Sequence, residues 1–270
     1  MSITALLLFA LFGLGVLFAG VYVLARRLDN YGVVDVAWSY SFGLIGIFYA
    51  LAGTGWAPRR IAVAATALAW SLRLGTYLLR RVARHHPQED QRYAQLRRDW
   101  SANLGSMMFG FFQFQAVSVI VLGAALVLAA RNSAPGFSPV ELIGLTLWLG
   151  AVVGEATADA QLAAFKRTAT QAEVCDRGLW RYSRHPNYFF QWLIWVGWFI
   201  FGLGSPFGWV AIVAPVTILY LLLRVTGIPA TEEQSLRSKG DAYRRYQART
   251  SAFVPLPPRE NPSSNAPAQP

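Results

Sequence analysis

Charge is scarce in this chain. Only 14% of its 270 residues are Asp, Glu, Lys or Arg, where a soluble domain carries about a quarter. Too few charges are present to clothe an ordinary water-facing surface. Acid is scarcer than base, at 14 Asp and Glu against 24 Lys and Arg. Cysteine is nearly absent: Cys175 stands alone, which excludes an internal disulfide and any multi-cysteine metal site. No metal is expected. There is no internal repeat and no sign of a second domain.

What fills the chain is apolar. Hydrophobic residues make up 54%, with 10 Trp, 17 Phe and 11 Tyr. Several apolar runs are long enough to cross a bilayer, which predicts an all-α, polytopic membrane helical bundle. Seven spans are expected, near 3–25, 32–53, 61–79, 106–130, 139–163, 188–204 and 206–224. The first run is longer than a signal-peptide core and lacks a basic start, so it is read as a retained helix. "GSPFG" separates the last two as a tight turn. Residues 1–254 then form one domain. The Pro-, Ser- and Asn-rich tail from Pro255, "PLPPRENPSSNAPAQP", is expected to be disordered.

Base placement sets an expected orientation. With the N-terminus outside, 20 Lys and Arg fall on inner segments, three (Arg59, Arg60, Arg131) fall outside, and Arg73 lies within a span. The net charge of +10 is therefore a topology signal rather than a nucleic-acid footprint, and no nucleic-acid partner is expected. The C-terminus is placed in the cytoplasm.

Polar groups inside the apolar runs need a reason. A central carboxylate costs about 2.5–3.5 kcal/mol on insertion scales, so Asp35, in "GVVDVAWSY", needs a partner or a wet cavity. Arg73, at similar depth in the third span, is the expected partner. The pair is either a structural tie between two helices or a substrate-facing acid beside a cation. Gln113 and Gln115 open the fourth span on different helix faces; either can serve as helix–helix glue, and Gln115 is a candidate substrate-side group. Glu155 and Asp159 lie four apart on one face of the fifth span, with Lys166 following. Two carboxylates one turn apart repel unless something positive intervenes. Lys166, Arg184 and Arg224 all fall near the same membrane edge, which points to a polar-ligand site as well as to a structural network.

The inner segments also carry "GLWRYSRHPNYFFQW" and "TEEQSLRSKGDAYRRYQART". Pro186 suits the first turn of a helix, where its missing N–H costs nothing, and a helix mouth there favours an anion. Tyr243 and Tyr246 share a face suited to the bilayer rim or to a flat ring. Arg and Lys suit phosphates, carboxylates suit ribose hydroxyls, and aromatics suit a planar base. That inventory fits a charged nucleotide better than a lipid headgroup.

"GLWRYSRHPNY" resembles the cofactor segment of membrane sterol reductases, G-W-x-x-x-R-H-P-N-Y. "DAQLAAFK" resembles their N-x-Q-K-x-x-F-R, with Asp159, Gln161, Phe165 and Lys166 at matching places. Over roughly residues 30–255 the chain most resembles the bacterial, uncharacterised DUF1295 branch of the steroid 5-alpha-reductase superfamily, through "VDVAW", "LRLGTYLLRR", "EDQRYAQLR" and "TGIPATEE" as well. The resemblance implies a bacterial inner-membrane reductase that takes hydride from NADPH to an enone carbon–carbon double bond of an apolar, steroid-like lipid. It implies that Asp159, Lys166, Arg184, His185, Asn187, Tyr188, Gln191, Arg224 and Glu232 hold NADPH. Asp35 or Tyr77 would supply the proton, with Arg73, Gln115 and Glu155 on the substrate side. The chain departs from the steroid reductases at Glu155 (their Asn), Ala163 (their basic residue) and Gln191 (their Glu), and their substrate-side Gln-Glu pair has no match beyond Asp35.

A second resemblance is to isoprenylcysteine and phospholipid methyltransferases. These share R-H-P-x-Y followed by a Glu pair and a Tyr-rich helix, here Glu232, Glu233, Tyr243 and Tyr246. It implies that His185 and the Glu pair hold S-adenosylmethionine. "DAQLAAFK" separates the two, because it matches the reductases and offers an acid and a cation suited to NADPH.

Overall fold

A computed structural model of the chain describes residues 1–170, 172–225 and 227–259. Among these, helix is the regular structure, in eleven α-helices: α1 Ile3–Arg27, α2 Val33–Ala52, α3 Ala57–His85, α4 Gln91–Asp99, α5 Leu104–Leu122, α6 Ala124–Arg131, α7 Pro139–Thr168, α8 Pro186–Leu203, α9 Val213–Tyr220, α10 Ile228–Lys239 and α11 Asp241–Arg249. A π-helical turn, Leu221–Val225, follows α9.

Six helical stretches are long and apolar enough to cross a membrane: Ile3–Arg27, Val33–Ala52, Ala57–His85, Ser101–Leu122, Pro139–Thr168 and Gly208–Lys239. The protein is an integral membrane protein by that criterion. Seven such spans were expected. The remaining one forms as α8, only 18 residues long, with Asn187, Tyr188, Gln191 and three tryptophans diluting its apolar run. The expected fourth span, 106–130, is broken: α5 ends at Leu122, Gly123 caps it, and α6 starts at Ala124.

The chain divides into two compact units, Met1–Leu142 with Phe199–Ala214, and Ile143–Trp198 with Pro215–Pro270. In the first, α2 and α3 make the most extensive helix pairing. Small residues permit it. A Cβ added to Gly46 would fall 2.5 Å from the Ala67 Cβ, so the backbones approach as close as small residues allow. Ser71 Oγ donates to Ser39 O at 2.5 Å and accepts from Gly43 N at 3.1 Å, and Tyr40 and Thr76 share a hydroxyl bond of 3.0 Å.

At the opposite end of α3, Arg59 is buried. It donates to both oxygens of Glu141 (2.5 and 3.1 Å) and to the carbonyls of Asn132, Ala134 and Gly136 at 2.6–2.8 Å. The loop 132–138 is thereby wrapped around one fully satisfied guanidinium. In the second unit, Pro186 opens α8 as its position predicts. Residues 255–259, at the start of the tail expected to be disordered, are tied back: Leu256 N donates to Tyr182 O at 2.9 Å and Arg259 N to Arg249 O at 2.8 Å. Residues 260–270 of that tail lie outside the described residues.

Candidate functional site

The polar centre of the second unit is built around Glu232, in the first turns of α10. Its Oε1 accepts from Arg184 Nε at 2.6 Å and lies 3.3 Å from His185 Nε2, while Oε2 accepts from Gln247 Nε2 at 2.9 Å. Arg184 also donates through Nη1 to the carbonyls of Gln247 (3.1 Å) and Thr250 (2.5 Å). A carboxylate with three donors, and a guanidinium with three acceptors, are mutually satisfied inside the fold. His185 is buried, and its ring stacks on Tyr188 with centroids 5.4 Å apart and planes 7° apart. Tyr188 shares a hydroxyl bond of 3.1 Å with Thr231.

A strap after α11 holds this clasp shut. Ser183 and Ser251 pair in parallel, Arg184 N donates to Ser251 O at 2.8 Å, and Ser183 Oγ donates to Phe253 O at 2.8 Å. Phe253 is buried against Phe189 and Trp192, at centroid distances of 5.6 and 5.9 Å. Tyr243 and Tyr246, expected on the bilayer rim or free to meet a flat ring, are instead buried in the unit. The Tyr246 hydroxyl donates to the carbonyls of Trp180 and Ser183. Burial, reinforced by the nearby Glu232 charge, pushes the Tyr243 phenol up to about 12, and burial raises Tyr246 as well.

Beside the clasp, α7 and the start of α8 make two polar rungs. Asn187 Nδ2 donates to Asp159 Oδ1 at 3.4 Å. One turn along, with its amide turned so that both ends are satisfied, Gln191 donates to Glu155 at 2.8 and 3.1 Å and accepts from Trp195 Nε1 at 3.3 Å. Gly178 lets the intervening segment return to α7. Its φ of +56° suits glycine, and a Cβ there would fall 2.5 Å from Gln161 Oε1, which accepts from Leu179 N at 2.9 Å. Of the twelve Lys and Arg of this unit, Arg184, Arg237, Arg244 and Arg249 are in ion pairs among the described residues; Lys166, near the end of α7, and Arg224, in the π turn, are two exposed cations among those that are not.

Asp35, Arg73, Tyr77 and Gln115 belong to the first unit. Asp35 sits in the first turn of α2. The expected Asp35–Arg73 pair does not form: Asp35 Oδ2 accepts from Arg92 Nη2 at 2.8 Å and Oδ1 from the Tyr93 hydroxyl at 2.6 Å. The reason is position, since α4 brings "RY" against the start of α2, whereas Arg73 lies deeper along α3. Burial pulls the Asp90 carboxyl upward, but Arg92 and Arg81 hold it below its ordinary value. Tyr77 is 56% exposed. Gln115 Oε1 accepts from Ser118 Oγ at 3.4 Å, and Ser118 Oγ in turn accepts from Trp38 Nε1 at 2.9 Å.

Gln247, Thr250, Ser183 and Phe253 were not foreseen from sequence. All four contribute a backbone carbonyl, which leaves no side-chain signature. A family model described as "Protein of unknown function (DUF1295)" matches residues 21–250. The chain belongs to the DUF1295 family. No curated protein and no solved structure matches it. The match to this DUF1295 model ends at residue 250, so it takes in the clasp residues Arg184, His185, Glu232 and Gln247 and both polar rungs.

Proposed function

We propose that this DUF1295 protein is an NADPH-dependent membrane reductase of a carbon–carbon double bond in an apolar, steroid-like lipid, and a bacterial member of the steroid 5-alpha-reductase superfamily. In this reading it lies in the inner membrane with its N-terminus outside and its cofactor site and C-terminus cytoplasmic.

One observation carries the reading: the pairing pattern leaves cation, not acid, to be completed by a ligand. Residues 143–198 and 215–259 hold twelve Lys and Arg against seven Asp and Glu. The half-buried Glu232 is engaged by Arg184, His185 and Gln247, and the buried Glu155 by Gln191. Lys166 lies seven residues, or roughly 10 Å, beyond Asp159 on the same helix face. An anionic group on Lys166 and Arg224 and a hydroxyl on Asp159 would suit a phosphorylated dinucleotide. When bound, NADPH supplies a hydride. Arg184, His185 and Glu232 hold the mouth of α8 in place, so that Asn187 and Tyr188 are presented without searching rotamers. Of the two candidate proton donors, Asp35 accepts on both oxygens within an ion pair, which disfavours it as an acid.

S-adenosylmethionine fits less well. Its sulfonium is cationic, and the Glu pair expected to hold it is divided: Glu232 turns into the clasp while Glu233 pairs outward with Arg237 at 2.5 Å.

Purified protein should be titrated with NADPH and, separately, with S-adenosylmethionine, following tryptophan fluorescence. NADPH is expected to bind, and Lys166→Ala and Arg224→Ala each to weaken it about tenfold, from ~1.5 kcal/mol per charge-assisted bond. Binding of S-adenosylmethionine alone, or wild-type NADPH affinity in both variants, would overturn the proposal.

A further inference from the structure

Seven of the arginines at one end of the first unit fall into two groups. Arg81, Arg92 and Arg97 are bound by acids: Arg81 to Asp90 at 2.8 Å, Arg92 to Asp35 at 2.8 Å and Asp90 at 3.1 Å, and Arg97 to Glu89 at 2.7 Å and Asp29 at 2.8 Å. Glu89 also accepts from Tyr31 N at 2.5 Å, and Arg97 lies 4.5 Å above the Tyr31 ring. These contacts fasten α4 across the end of α1, the start of α2 and the end of α3. They explain why "VDVAW" and "EDQRYAQLR" occur in one chain, since each supplies half of a single latch.

Arg26, Arg27, Arg80 and Arg84 are different. All four are exposed and none has an ion-pair partner among the described residues. They occupy the last turns of α1 and α3, two helices apolar enough to span the membrane. The latch shows that these two helix ends lie at the same end of the unit, on either side of the start of α2. Asp29, Asp35, Glu89 and Asp90 are taken by the inner arginines and Asp99 accepts from Gln95, so the charge on the outer four is open to a partner outside the chain. Helix ends of this kind sit at headgroup depth, where long basic side chains reach phosphate.

We infer that Arg26, Arg27, Arg80 and Arg84 form a binding surface for the headgroups of anionic phospholipids. The partner is lipid rather than a soluble anion, because the four residues end helices long and apolar enough to span a membrane, at the depth where phospholipid phosphates lie. Near a membrane each such cation is worth ~1 kcal/mol, or about fivefold in affinity.

The test uses detergent-solubilised full-length protein and native mass spectrometry, with phosphatidylglycerol and phosphatidylcholine as the two probes. Wild type should retain phosphatidylglycerol preferentially, and less so as salt is raised. Arg26→Gln/Arg27→Gln and Arg80→Gln/Arg84→Gln should each weaken that retention, by about fivefold per arginine. Arg92→Gln, a latch residue, should lower thermal stability without changing the lipid preference. Equal retention of both lipids by wild type, insensitivity to salt, or competition by millimolar inorganic phosphate would each overturn the inference. The salt and phosphate arms need no variant, so they decide the matter even if a double variant misfolds.

Discussion

At the scale of single residues, Glu232 and Glu233 show how neighbouring identical side chains come to differ in worth. Glu232 is 16% exposed and receives Arg184, itself 11% exposed. Glu233 and Arg237 are 65% and 75% exposed. Breaking a buried pair leaves an uncompensated charge and costs about 3–5 kcal/mol, whereas exposed pairs contribute about 0–1. Glu232→Gln is therefore expected to lose about 3 kcal/mol, the low end because the pair keeps some solvent contact. Glu233→Gln should stay within about 0.5 kcal/mol of wild type. Thermal unfolding of both variants checks this, and equal shifts would show that the clasp is not what the fold depends on. The importance of residues 184–187 was legible in the sequence, because Pro186 and its polar neighbours exceed what a topology signal needs. Which partners they take was not. Gln247 lies 63 residues from Arg184 and contributes a carbonyl as much as a side chain.

At the scale of elements, the long apolar runs gave themselves away by length and composition, and most of them fold where their hydrophobic residues run. The misreadings came where backbone bonds, rather than side-chain pattern, decide. The tail expected from Pro255 begins "PLPPR", yet Leu256 N donates to Tyr182 O and Arg259 N to Arg249 O, continuing the strap that starts at Ser251. Its one large buried side chain is Phe253, seated between Phe189 and Trp192. Phe253→Ala should cost about 3–5 kcal/mol, the range for deleting a buried aromatic ring, and should release the strap. Limited proteolysis reads the release directly: cleavage between Arg249 and Arg259 is expected in the variant and not in wild type. A variant as resistant as wild type would mean that the main-chain bonds alone suffice to hold the strap.

At the scale of the whole molecule, the count of membrane crossings depends on α8. Six helical stretches qualify by length and apolarity, and α8 does not. If α8 nevertheless crosses, the chain crosses seven times and its ends lie on opposite faces; if it does not, they lie on the same face. Its composition favours crossing. Beyond Gln191 it continues "WLIWVGWFIFGL", uncharged for twelve residues, and Trp192 and Trp195 both place their indole N–H groups on acceptors, Pro215 O and the Gln191 amide. A helix that satisfies its polar atoms internally in this way meets the main demand of hydrocarbon. On the seven-span topology, 20 of 24 Lys and Arg fall on the segments sharing the side of residues 177–184, an asymmetry that predicts which side is cytoplasmic. The expected outcome is an N-terminus outside and a C-terminus in the cytoplasm. A fluorescent reporter that matures only in the cytoplasm should therefore report when fused after Arg259 and stay dark when fused before Met1. Fluorescence from both fusions would mean that α8 turns back without crossing, and would put the cofactor site proposed here on a different footing.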